Sequence, residues 1–301
     1  MRIAMTEPRL TDSELPELFR TADTASLQGQ RVYIGATKIR LSLAVAAAVF
    51  AAVSIRVGDR WDLAALFVAC AFIATLMVEF WLLTRNPERD WYDGRALAES
   101  IKTLSWRYSI GAAPFILSSP DMEAERQFIQ EVQKLIDEAP ADSIVISDPV
   151  RVTEQMRSLR KKDLELRKRV YLESRIQDQL EWYSSKAKFN SRRARSWRLA
   201  LISIEGTGII VALLKAGGLI NFDLPGVLAA LLGAGSAWFA VRQYEALARA
   251  YKFAANDLST VHSRLQCVEE EDVWARESAD AEEAISREHT MWRASRGALS
   301  A

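Results

Sequence analysis

The chain has 301 residues, and its 39 Lys and Arg balance 39 Asp and Glu. Zero net charge excludes both the bulk basic field of a nucleic-acid binder and the acidic field of a solvating tail. Two cysteines, Cys70 and Cys267, are too few for a disulfide framework or a Cys-rich metal site, and 13 Gly with 8 Pro suit long helices better than a β-rich or disordered chain.

Residues 1–14 read as an N-terminal tail. A polar helix carrying Tyr33 then leads through Arg31, Lys38 and Arg40 into an uncharged run, residues 41–55 (LSLAVAAAVFAAVSI). After a short loop with Arg56 and Arg60 comes a second run, residues 63–83 (LAALFVACAFIATLMVEFWLL), whose only charge is Glu79. A spanning helix needs about 20 apolar residues, with about 17 at the lower end. The first run is therefore short, and the long stem of Arg40 extends it while its head reaches the headgroups. A soluble helix shows polar residues on its outer face, whereas these runs are apolar all round, so the hairpin is predicted to cross a membrane. The first run starts near residue 40, behind an acid-containing stretch, which is not the pattern of a cleaved signal peptide.

A charged helix is predicted over residues 91–108. Ser119-Pro120-Asp121 then gives an N-cap, a proline at the first helical position and an early acid. Phe128, Val132, Leu135 and Ile136 form its stripe, and Ala139-Pro140 ends it. Residues 143–147 (SIVIS) fit either a strand fragment or a packed loop. Asp148-Pro149 reads as a new helix start. From Val152 through Met156, Leu159, Leu166, Val170, Ile176, Leu180 and Tyr183 the apolar spacing stays helical, so a long helix is expected to run into the third apolar run. That run, residues 199–214, contains one charge, Glu205, and Arg198 stands directly before it. A short loop with Lys215 precedes the uncharged fourth run, residues 224–241. A charged helix with Leu247, Tyr251, Leu258, Val261 and Leu265 on one face follows. The acid-rich segment from Glu269, with Trp274 and Trp292, is expected to be helical and to fray toward Ala301.

The two hairpins repeat one organisation, although identity between the copies is weak. Each has a polar helix with aromatics (Tyr33; Trp182-Tyr183), a basic stretch, a span, a short loop, a span ending in aromatics (Phe80-Trp81; Trp238-Phe239) and a long charged helix. Basic residues concentrate beside the long segments rather than in the short loops, which predicts both termini and the middle of the chain on the cytoplasmic side. The expected fold is an all-α integral membrane protein of two tandem two-helix transmembrane hairpins with long cytoplasmic helices. Its expected divisions are 1–14, 15–148, 149–268 and a C-terminal tail, 269–301.

Residues 90–115 (DWYDGRALAESIKTLSWRYSIGAAPF) follow directly on one hairpin, and residues 171–197 (YLESRIQDQLEWYSSKAKFNSRRARSW) lead directly into the other. Both stretches resemble the SLATT family of two-transmembrane effector domains, in tandem copies from about residue 15 to about residue 265. The most specific part is residues 95–108, followed by residues 179–187. The resemblance implies a membrane-disrupting or pore-forming role in bacterial, nucleotide-linked phage defence, at the inner membrane. It supplies no catalytic residues to carry over.

Glu205 is the sharpest candidate site. It lies about 9 Å beyond Leu199 at ~1.5 Å rise per residue, and an acid at that depth is costly unless it faces protein or water. Pairing the third and fourth runs as a hairpin places Gly206, Gly208, Gly233 and Gly235 around it. The cluster fits a ring of carboxylates selecting cations, or a protonated or hydrogen-bonded packing residue. Glu79 falls opposite residues 38–40, where an ion pair at the membrane boundary and a charge at an inner pore mouth are the two readings. Ala44, Ala48 and Ala52, and Ala229, Gly233 and Ala237, form small-xxx-small faces suited to helix packing. Arg157, Arg160, Lys161 and Lys168, in a basic run that also holds Arg167 and Arg169, are able to meet a nucleotide or an anionic lipid, or else form a solvated face paired with Asp163, Glu165 and Glu173. Trp61, Trp81, Trp197 and Trp238 fit an aromatic belt. Cys70 reads as a small apolar residue, and His262 as structural.

There is no G-x-x-x-x-G-K-[ST], no G-x-G-x-x-G after a strand and no H-E-x-x-H. The expectation is a non-enzymatic protein without a cofactor: a homo-oligomer in the bilayer that forms or gates a cation-permeable pore, with a nucleotide signal or a partner protein as its trigger. The competing expectation is a membrane-anchored scaffold whose cytoplasmic helices recruit a partner.

Overall fold

Each of the four apolar runs is carried by a helix. The computed structural model describes residues 10–57, 61–139 and 149–297, with side chains as far as Ser286. In chain order the helices are α1 (Glu17–Ala51), α2 (Leu63–Arg85), α3 (Pro87–Ile110), α4 (Asp121–Glu138), α5 (Glu154–Arg160), α6 (Leu164–Tyr171), α7 (Asp178–Ala216), α8 (Leu224–Arg242), α9 (Tyr244–Gln266) and α10 (Glu271–Gly297). A π-helical turn, Leu172–Gln177, joins α6 to α7 without a break. Four of these helical stretches are long and apolar enough to cross a membrane, and at most 11% of the most apolar window of any of them is buried by the chain itself.

Three local features depart from the expected elements. The loop after α1 holds a small antiparallel ladder, β1 (Arg56–Val57) with β2 (Trp61–Asp62), in an otherwise helical fold. Residues 149–153 are not helical, so the expected start at Asp148-Pro149 is wrong; α5 begins at Glu154, where the Thr153 side chain caps Met156 N. The helix then breaks and restarts at α6 with Asp163 accepting from Leu166 N, because each of these two residues satisfies an orphan donor of a helix start. The SIVIS segment, residues 143–147, lies outside the described residues.

The second span of each hairpin ends in the same way. Asn86 (φ 44°) follows α2 and Gln243 (φ 47°) follows α8; both are left-handed, and the next helix starts one residue later. An acid also precedes each second span. Asp62 accepts from Ala64 N, Ile55 N and the Ser54 hydroxyl, and those donors hold its carboxyl below the usual carboxylate range. Asp223 stands before α8 and pairs with Lys215.

The chain forms two compact units, each assembled from separated segments. One unit comprises Met1–Gly29, Glu88–Lys186 and Ala250–Ala301. Its core joins Ile101, Trp106 and Ile110 of α3 with Phe128 of α4, Met156 of α5, Leu265 of α9 and Trp274 of α10, all at most 1% exposed. Rings interlock edge to face, Tyr171 against Trp274 at 5.8 Å and Tyr108 against Phe115 at 5.9 Å. Gly94 is where α3 crosses the start of α1: an added Cβ would lie 2.9 Å from Ser26 N and 3.0 Å from Ala22 O. The Ser26 hydroxyl bonds to the Trp91 carbonyl at the same crossing. Gly111 ends α3 with φ +75°, a conformation that favours glycine.

The other unit comprises Gln30–Pro87 and Ala187–Arg249 and contains the apolar lengths of α1, α2, α7 and α8. The chain buries little of their apolar surface. Phe50 stacks on Phe67 at 5.0 Å, and Gly235 lets α8 approach Leu201 and Trp197 of α7.

Candidate functional site

Glu205 lies in the apolar length of α7, on a face its own chain leaves exposed. The buried side of that helix follows Ala194 and Val211, with Trp197, Leu201, Ile204 and Gly208 half-buried between. The expected glycine cluster does not form within the chain. Gly235 packs on Leu201, with an added Cβ at 3.0 Å, whereas Gly206, Gly208 and Gly233 would each hold a Cβ with nothing within 4 Å. The hydroxyls of Ser203 and Thr207 turn back onto carbonyls one turn earlier. Glu205 and Gly206 thus lie on a part of the span that none of the described residues covers, with Ser203 and Thr207 exposed on the far side of the helix from Glu205.

Glu79 has an internal partner: Arg40 of α1 donates to its carboxylate across the first hairpin. The small-residue faces separate differently. In the apolar length of α1 the buried alanine is Ala47, one position from the expected stripe; Ala44 is exposed and Ala48 and Ala52 are half-buried. On α8, Ala229, Gly233 and Ala237 are all exposed. Within the chain, then, neither stripe is the main packing seam. Cys70 is exposed on α2.

The basic run resolves into two kinds of residue, and half of it is a correction. Arg160 and Lys168 are buried and cannot meet an external anion. Arg160 donates to the carbonyls of Tyr108 in the last turn of α3 and of Phe115 and Ile116 in the loop after it, and burial draws its guanidinium below its usual range. Lys168 donates to the Val268 carbonyl just before α10 and pairs with Glu165. Arg157 is bidentate to Glu125 and also meets Glu154, and Glu125 raises its pKa. Only Lys161 of the four is exposed without an internal partner among the described residues.

Arg160 and Lys168 belong to a buried polar core that sequence reasoning missed. Arg175, on the π-helical turn, gives Nε and Nη2 to the two oxygens of Glu282 on α10, both at 2.9 Å. Tyr171 Oη and Thr103 Oγ1 donate to the same carboxylate at 3.0 Å. Arg167 binds the Ile110 carbonyl and both oxygens of Glu271, and Trp274 Nε1 donates to that same carbonyl. One signal was available. Arg160, Arg167 and Arg175 recur at seven and eight residues, which keeps them on the face of the buried Met156, Val170 and Tyr171. Beside this core lies a cavity of about 710 Å³ lined by Arg95, Glu99, Lys102, Trp106, Arg175 and other side chains of the same unit. Among the described residues no group of three or more His, Cys, Asp or Glu is placed to hold a metal ion.

The two hairpins with their flanking helices also match known family models. Residues 16–168 match the model of SMODS and SLOG-associating 2TM effector domain 3, and residues 171–292 that of SMODS and SLOG-associating 2TM effector domain 1. The chain belongs to the SLATT family. It is a multi-pass membrane protein built from two SLATT domains in tandem. The second match extends through α10, so the acidic segment from Glu269 is largely part of a SLATT domain. No curated protein and no solved structure matches this SLATT chain.

Proposed function

We propose that this tandem SLATT protein is an oligomeric effector of the bacterial inner membrane whose spans form or gate a cation-permeable pore. The observation that supports this reading is Glu205, a carboxylate inside an apolar span on a face that the chain does not cover. Left against lipid it is costly; facing an axis between copies it meets water, and a ring of such carboxylates favours cations. Four spans enclose little space, so several chains must surround that axis. Gly206 and Gly233, open at Cβ, let neighbouring copies approach closely. The excess of Lys and Arg beside the spans supports a cytoplasmic position for both termini and the middle of the chain.

The test is ion flux from liposomes carrying the purified full-length protein. The expected result is potassium and sodium release well above chloride release, lowered at least tenfold by Glu205→Gln with assembly unchanged. A wild-type protein that releases no ion at any voltage or added nucleotide rejects the reading.

A further inference from the structure

We infer that the unit containing the spans carries a specific site for an anionic phospholipid, in a groove between α1, α7 and α8. The groove has a volume of about 560 Å³. Lys38, Trp197 and Trp238 line one end, and Val45, Ile204 and Leu231 line the other. Seven residues separate the two levels on each helix, about 10 Å along each axis at ~1.5 Å per residue. The levels are consistent in direction: α1 and α7 run from the first level to the second, and α8 returns. Below Lys38 the walls are apolar apart from the Ser42 hydroxyl, so the deep part takes hydrocarbon and rejects a hydrated ligand.

Lys38 lines the mouth, and Arg242 stands beside it on the Trp238 ring, where its Nε also donates to Tyr244 Oη at 3.3 Å. Lys38 Nζ lies 5.5 Å from the centroid of the Trp238 ring, and the Arg242 guanidinium carbon lies 5.7 Å from the same ring. Neither side chain forms an ion pair among the described residues. The neighbouring cations behave otherwise: Arg40 pairs with Glu79, and Arg198 with Glu245. Two uncompensated cations therefore meet on one indole, at the level where tryptophan marks the membrane interface. A phosphodiester supplies the missing negative charge, and the acyl chain of the same molecule fills the apolar groove beneath it. Basic pockets between spans bind anionic headgroups on this principle. A helix from a second copy would bury the apolar walls but leave both cations unpaired unless it brought an acid to the same level.

The site is independent of any pore, and its test does not use flux. Full-length protein is placed in nanodiscs of equal phosphatidylglycerol and phosphatidylcholine, and the lipids retained on release are counted by native mass spectrometry. The wild type is expected to keep phosphatidylglycerol at least fivefold over phosphatidylcholine. Lys38→Gln with Arg242→Gln should bring that ratio to parity, and Ala234→Phe, which fills the groove, should reduce retention of both lipids. Lys38 is exposed and Arg242 and Ala234 are half-buried in the chain, and an unchanged thermal midpoint in detergent confirms that each of the two variants is folded. Inorganic phosphate at millimolar concentration should leave the retained lipid in place. Parity in the wild type overturns the proposal, as does an unchanged ratio in the double charge variant. Displacement by phosphate alone overturns it too, because the groove would then contribute nothing. If Ala234→Phe breaks the oligomer while lipid retention is untouched, the groove holds a second copy instead, and the proposal fails.

Discussion

At Glu282 a carboxylate with no solvent exposure is held by four donors from three side chains. Its partner Arg175 is equally enclosed, and its Nη1 has no acceptor among the described residues. Breaking such a pair from one side leaves a buried charge without compensation, at a cost of about 3–5 kcal/mol, whereas replacing both partners with apolar side chains of similar volume is often neutral. Glu282→Gln, which keeps the shape, is therefore expected to lower the thermal midpoint in detergent by on the order of 10 °C. Arg175→Met with Glu282→Leu should recover most of that loss. If the single and double variants fall equally, the energy resides in packing around the site and the charge pair is not what fixes α10.

The helices make α10 part of the core rather than an appendage. Trp274 is fully enclosed, Lys168 holds the Val268 carbonyl just before the helix, and Arg107 holds the Ala279 carbonyl within it. Deleting the chain after Val268 removes Trp274, Ala281, Glu282 and Ile285 from the core, and strands Arg167 and Arg175 without their carboxylates. The truncated protein should show rapid cleavage between residues 88 and 186 under limited proteolysis, while the full chain resists. A truncation that stays as resistant as the full chain would place α10 outside the folding unit. Little in the sequence warns of this, because the segment is acid-rich and its apolar residues are few. The spans were legible for the opposite reason: an uninterrupted apolar run has one cheap explanation, and the helices α2 and α8 begin at the first residues of the second and fourth runs. The starts of α5 and α6 were less legible, since Pro149 offers a first-turn proline and only the Thr153 and Asp163 caps reveal where the backbone turns helical. Buried arginines are the hardest case. Arg160 and Arg167 sit in a run that reads as solvated, and their burial depends on carbonyls supplied by the distant end of α3 and the loop after it.

Across the whole molecule the two units bury themselves very unequally. One has a dense aromatic and ionic core; the other leaves most of its apolar surface, together with Glu205, to whatever surrounds it. Lipid can cover leucine and phenylalanine at no cost, but it cannot satisfy a carboxylate, and small residues on a span gain from close helix contact rather than from lipid. The exposed face of α8 with Ala229, Gly233 and Ala237 is thus the surface on which a second copy gains most. Gly233→Ile tests this cleanly, because the added side chain meets nothing within 4 Å at its Cβ in the isolated chain and should leave the fold of one subunit intact. The expected outcome is a smaller assembly by native mass spectrometry, with an unchanged thermal midpoint for the subunit. Ile at Gly35, also open at Cβ but on α1, should leave the assembly as it is. If Gly233→Ile assembles like the wild type, α8 faces lipid, and the contact between copies must be made by the Glu205 face of α7 alone.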